Sequence, residues 1–223
     1  MSLKEMFLEC KKFTPLQWFE NLFLYIFALV TMPLGVVLTI NSHLGASGYD
    51  ALNYALSDKL GINTSIAIYA TSIIVLIIAA IVRKSYPHIE TFVSSFVIGF
   101  FTDIWKKVFA NVQGTNFFNS LVLLCIGMVI AALAVACYMV AIFPTNPTDD
   151  LLSALKERGV RIRVAKISWD ALCVVLAIAV GAIKGGQVGV GTIICTFAIG
   201  MIVDWFYIKI KKIVEKTTGK PVR

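Results

Sequence analysis

Six long apolar stretches, roughly 18–40, 64–83, 89–109, 117–142, 164–183 and 190–210, alternate with short polar segments. Each comes near the ~20 residues that a helix needs to cross a bilayer, so the pattern predicts six transmembrane helices. Pro33 and Gly35 fall inside the first and are expected to bend it. Two further segments, 48–60 and 147–158, are too short to cross. Each carries a polar stripe: Asp50, Asn53 and Ser57 in one, Asp149, Ser153 and Lys156 in the other. Both open with helix-start chemistry. Ser47 and Asn146 suit the N-cap, Gly48 and Pro147 the first helical position, and Asp50 and Asp149 the third, where a carboxylate can reach back to the cap N–H. Two placements fit these short helices. They lie as amphipathic helices on opposite membrane surfaces, or they dip inward from opposite sides as re-entrant half-helices with their N-termini near mid-membrane. The flexible run 45–48 (GASG) permits close backbone approach and favours the second.

The chain is duplicated. Residues 91–103 (TFVSSFVIGFFTD) match 192–204 (TIICTFAIGMIVD) with identical Thr, Phe, Ile, Gly and Asp, 101 positions apart. Residues 47–56 (SGYDALNYAL) align with 146–155 (NPTDDLLSAL) in the same way. The expected fold is therefore an all-α membrane protein of two repeats, 1–112 and 113–223, each running span, short helix, span, span. Three spans is an odd number, so the second repeat enters the membrane inverted, a layout that recurs in secondary transporters.

Composition agrees. Hydrophobic residues make up 58% and charged residues 15%, well below the quarter usual in soluble domains. The first apolar run has no small-residue cleavage site behind it and reads as a span rather than a signal peptide. The net charge of +7 is explained by position. With the N-terminus inside, 16 of the 20 Lys and Arg fall in inner segments and 4 in outer ones, which predicts N-in, C-in insertion in a bacterial cytoplasmic (inner) membrane. The basic tail after Tyr207 is expected to rest on anionic headgroups. Trp18, Trp105, Trp169 and Trp205 sit near predicted span ends, as interfacial anchors do. No basic-aromatic motif supports nucleic-acid binding. The five cysteines form no CxxC and read as small buried hydrophobes.

Acids within apolar helices are the functional candidates. Asp103 and Asp204 occupy equivalent depths in oppositely directed spans, which suits proton or cation coupling on the two sides; pairing with Lys106, Lys107 or Lys209 is the plainer role. Ser47, Asp50, Asn53, Asn146 and Asp149 are candidate substrate-binding residues if the short helices re-enter, and ordinary capping residues if they do not. Thr91, Ser95 and Gly99, with Thr192, Thr196 and Gly200, make small-xxx-small faces suited to close helix packing. Asp150 and Asp170 lack counterparts in the other repeat and are assigned to the inner surface. His43 and His88 have no second ligand nearby, so no metal site, and no cofactor, is expected. The run 185–191 (GGQVGVG) lacks the preceding strand of a dinucleotide site. No nucleophile–base pair or catalytic motif occurs, so the chain is not expected to be an enzyme.

The glycine-rich run leading to Asp50, the VGVGT at 188–192 and the Ile-Gly-x-x-x-Asp ending at Asp204 resemble the YczE/YyaS-type bacterial integral membrane proteins, related more distantly to the YitT type. The resemblance covers nearly the whole chain and implies a polytopic inner-membrane protein. It carries no substrate. One departure is the stiff Pro144–Pro147 lead-in to the second short helix, where a glycine-rich one is usual. The functional expectation is a small secondary transporter or permease for an unidentified small solute, embedded in the lipid bilayer. The alternative is a non-transporting accessory protein that binds a partner protein or lipid. So small a chain is compatible with a homodimer.

Overall fold

The computed structural model describes residues 14–218 apart from 142, 184 and 186. Cys10 and several of the counted cations (Lys4, Lys11, Lys12, Lys184, Lys220 and Arg223) lie outside the described residues. The described residues form eight helices and no strand: α1 (Pro15–Asn41), α2 (Gly48–Leu60), α3 (Thr64–Arg83), α4 (Glu90–Val108), α5 (Phe117–Val140), α6 (Pro147–Glu157), α7 (Ile162–Val180) and α8 (Val190–Thr218). Four of them, α1, α3, α5 and α8, are long and apolar enough to cross a membrane. The other two long helices, α4 and α7, have 19 residues each, with charges spread along them: Glu90, Asp103, Lys106 and Lys107 in α4, and Arg163, Lys166 and Asp170 in α7.

Local chemistry sets the ends. Thr14 and Gln17 close a capping box on α1, with Pro15 at the first position. Asn116 and Asn146 cap α5 and α6 through their side chains. Gly61 and Gly181 end α2 and α7 in the left-handed conformation. Helix α1 continues through Pro33.

The most extensive packing is α1 on α5. Their backbones cross at two glycines: a Cβ on Gly35 would lie 2.7 Å from the Gly127 carbonyl oxygen, and one on Gly127 would lie 2.7 Å from that of Gly35. Helix α4 packs on α1, and α8 packs on α5. The short helices cross over: α2 lies along α7, and α6 along α3. Tyr49, Leu52 and Ala55 of α2 share one core cluster with Val75, Leu151, Cys173 and Ala177. Helix α3 also packs on α4, whereas α7 has no comparable contact with α8.

Trp105 donates to the Val30 carbonyl at 2.8 Å, and Trp169 packs on Tyr49. One expectation is corrected. Asp170 is no surface residue; it is 1% exposed.

Candidate functional site

Helix α2 is buried on most of its circumference, with Gly48, Tyr49, Ala51–Ala55 and Ser57 all inside. Its N-terminus lies against the middle of α7, where any Cβ on Gly48 would collide with the Asp170 carbonyl. Its C-terminal turn reaches the segment beyond α7, where Gln187 Nε2 donates to Asp58. So α2 runs beside α7 within the bundle, with its first turn deepest. Helix α6 mirrors this on α3, Asn146 lying near Ser72 and Ser95 at one end and Glu157 near Arg83 at the other.

The two first turns converge on one polar locus. Ser47 Oγ donates to Asp50 at 2.6 Å, in place of the expected carboxylate return to the cap N–H. Asp149 likewise takes a side-chain partner, the Tyr138 hydroxyl. Between them stands an ion pair that sequence reasoning did not assign: Lys166 to Asp170 at 3.1 Å, four residues apart on α7. Lys166 also interacts electrostatically with both Asp50 and Asp149. Lys166 keeps 44% side-chain exposure, and Ser47, Asp50, Asn146 and Asp149 remain partly accessible. Asn53 is fully buried and serves the wall behind them.

That wall is a continuous hydrogen-bond chain. Ser95 Oγ donates to Asn146 Oδ1 at 3.3 Å, and Ser72 Oγ to Ser95 at 2.8 Å. The Tyr49 hydroxyl contacts Ser72 and Thr71 at 3.2 and 3.0 Å, and Thr71 Oγ1 donates to Asn53 Oδ1 at 2.6 Å. It joins α2, α3, α4 and α6, and such networks hold their members in register. Around the locus, the Tyr54 hydroxyl, Thr148 Oγ1 and Trp169 Nε1 are buried with no protein partner, which is unusual for buried polar atoms.

Both ends of the locus are tied. At the C-terminal end of α2, Asp103 accepts from the Ser65 N–H at 3.3 Å and from its hydroxyl, while Lys106 donates to Thr64 at 3.1 Å and pairs with Asp58 at 3.7 Å. Asp103 therefore sits on the first turn of α3 rather than on Lys106 or Lys107. At the C-terminal end of α3, Arg83 pairs with Asp150 at 2.8 Å and Glu157 at 3.2 Å, and His88 contacts Asp150 at 2.9 Å. Burial would raise the Asp150 carboxyl, but the hydrogen bonds and charges of Arg83 and His88 outweigh it and hold that carboxyl below its ordinary value. Asp150 is thus a buried latch and not a surface residue.

The duplicated stripes have different surroundings. Thr91 and Ser95 are buried, and Gly99 abuts Tyr69 of α3, whose ring a Cβ would approach to 2.5 Å. In the copy, Thr192 is buried, Thr196 is half-buried, and Gly200 and Asp204 are exposed, with nothing near a Cβ on Gly200. Lys209 lies over the Trp205 ring, not on Asp204. Among the described residues no cluster of three His, Cys, Asp or Glu could hold a metal.

Three bacterial proteins resemble the chain in sequence. The chain is 33% identical over 187 residues to the uncharacterized protein YyaS of Bacillus subtilis (strain 168), covering 82% of this chain and 90% of that one. It is 23% identical over 189 residues to the uncharacterized membrane protein YczE of the same organism, covering 80% and 81%. An uncharacterized protein of Haemophilus influenzae is 25% identical over 192 residues, covering 84% of each chain. No solved structure matches. Residues 19–208 match the model of a family of unknown function, DUF6198, and the chain belongs to that family.

Proposed function

We propose that the protein is a small secondary transporter whose solute binds where the first turns of α2 and α6 meet Lys166 and Asp170. In this reading α4 and α7 also cross the bilayer, giving six spans as two inverted repeats with both termini cytoplasmic in a bacterial inner membrane. Helices α2 and α6 are then re-entrant. The reciprocal packing of α2 on α7 and α6 on α3 supports the repeat. Irregular backbone at mid-bilayer is tolerated where it lines a cavity or is buried in protein, as at Ser47 and Asn146. Asp103 and Asp204 couple protons or cations on opposite sides.

The observation that carries this reading is the convergence of Asp50, Asp149 and the Lys166–Asp170 pair between two helix N-termini, with accessible side chains and unpartnered polar atoms around them. Three carboxylates face one ammonium there, a surplus that favours a solute carrying a cationic group. Purified protein screened by thermal shift against amines, amino acids, sugars and inorganic ions at pH 5–8 tests it. A ligand at 100 times its Kd stabilises by about 2.7 kcal/mol. The expected result is a specific shift lost in both Asp50→Asn and Asp149→Asn, each still folded. A second reading rests on α8, which continues as a helix through Lys209, Lys211, Lys212 and Lys216. That basic extension suits anionic lipid or a partner protein. A panel with no shift, together with a stoichiometric co-purifying partner, would replace the transporter with this accessory role.

A further inference from the structure

The two copies of one stripe face different worlds. On α4, Ser95, Gly99 and Asp103 are covered by α3: Ser95 meets Ser72, Gly99 meets Tyr69, and Asp103 sits on Ser65 in the first turn. On α8, Thr196 is half-buried, whereas Gly200 and Asp204 are exposed, with nothing within 4 Å of a Cβ on Gly200. The positions of α7 equivalent to Ser65, Tyr69 and Ser72, counted from each helix start, are Arg163, Ile167 and Asp170. Arg163 is exposed, and Ile167 is 45% exposed. Among the described residues the side chains of Arg163 and Asp204 make no hydrogen bond or ion pair. The exposed faces of α7 and α8 are therefore complementary: an arginine for a carboxylate, and a branched side chain for a glycine.

We infer that α7 closes onto the Thr196–Gly200–Asp204 face of α8, seating Asp204 on Arg163 and Ile167 on Gly200, as α4 is already seated on α3. The occupant is this chain's own α7, because the first half of the chain covers the same stripe with its own second long helix. The pivot is the end of α7, where Gly181 stands in the left-handed region. From there on the chain is anchored: the Gln187 N–H donates to the Ala182 carbonyl at 3.0 Å, the Ala46 N–H donates to the Gln187 carbonyl at 3.0 Å, and the Gly191 N–H donates to the Leu44 carbonyl at 2.7 Å. The far ends, where Arg163 and Asp204 stand, are the ones free to approach. Since Lys166 and Asp170 ride on α7, closure covers the locus from that side; this rests on the proposed binding site but is tested independently of it.

The experiment is oxidative cross-linking of Ile167→Cys/Gly200→Cys in a full-length background without its native cysteines, with Tyr69→Cys/Gly99→Cys as the pair already in contact. Closure predicts an intramolecular disulfide in both. Asp204→Arg should reduce the α7–α8 yield several-fold, and Arg163→Asp added to it should restore the yield. A control pair that links while the α7–α8 pair does not, or a 167–200 link only between two chains, overturns the inference. Either failure with the ligand shift intact removes the closure and leaves the transporter standing. A missing ligand shift with the link formed does the reverse.

Discussion

Asp170 shows what one charge demands in this bundle. It is 1% exposed, and Lys166 is the single cation bonded to it among the described residues. Taking one partner from a buried ion pair leaves a charge without compensation, which costs about 3 kcal/mol or more in fully buried cases. Lys166 is itself half accessible, so water softens the loss. Lys166→Met is expected to destabilise by roughly 2 kcal/mol, read as a lower midpoint in detergent unfolding. The double variant Lys166→Met/Asp170→Asn should recover most of that loss, because the stranded charge goes with its partner. A neutral Lys166→Met would mean that water, not Lys166, compensates Asp170. The same residues mark how far sequence reaches. The acids at 50 and 149 were visible because each stands at the third position of a short helix with a cap before it. Lys166 and Asp170 were equally visible as a pair four apart in an apolar run, a spacing that brings side chains together on one helix face. Repeat symmetry does not reveal them, because Asp170 has no twin in the first repeat.

At the scale of helices, length and hydropathy locate the elements well. The expected 48–60 and 64–83 coincide with α2 and α3, and the other long helices begin within a few residues of their expected starts. Such segments are legible because apolar runs of that length have few folded alternatives. Which helices meet is a different matter. Gly35 lies in a stretch expected to bend and Gly127 in an unremarked apolar run, yet their backbones meet at the largest helix contact in the molecule. Ninety-odd residues separate them, and no local period links them. Without a hydrophobic force between helices in lipid, close packing at small residues carries much of the association. Gly127→Val should therefore push α1 and α5 apart, since even its Cβ would lie 2.7 Å from the Gly35 carbonyl oxygen and 2.8 Å from Thr39. Overpacking of this kind costs about 1–3 kcal/mol. The expected readout is a lower thermal midpoint and increased protease cleavage; unchanged stability would mean that the crossing is slack enough to absorb a side chain.

For the whole molecule, the important fact is that two duplicated segments are not in the same state. Helix α4 is seated and α8 is not, while α2 rides on α7 and α6 on α3. A displacement of α7 thus carries the first repeat's short helix, and a displacement of α3 carries the second's. If the two halves are equivalent in energy, the seated state of one and the open state of the other form a pair that can exchange. A solute drives that exchange only through its different affinities for the two states; shifting a 1:99 population to 99:1 takes about 5.5 kcal/mol of difference. Reciprocity follows if both closures cannot hold around one solute at once. Fixing α7 on α8 with the Ile167→Cys/Gly200→Cys disulfide should then unseat α4 from α3. Ser95, buried against Ser72 here, is the reporter. In cross-linked protein, Ser95→Cys should react with a membrane-impermeant maleimide added from outside at least several-fold faster than in the reduced protein. Equal rates would mean that the halves move independently, and that the duplicated stripes are two separate hinges instead of one alternating pair.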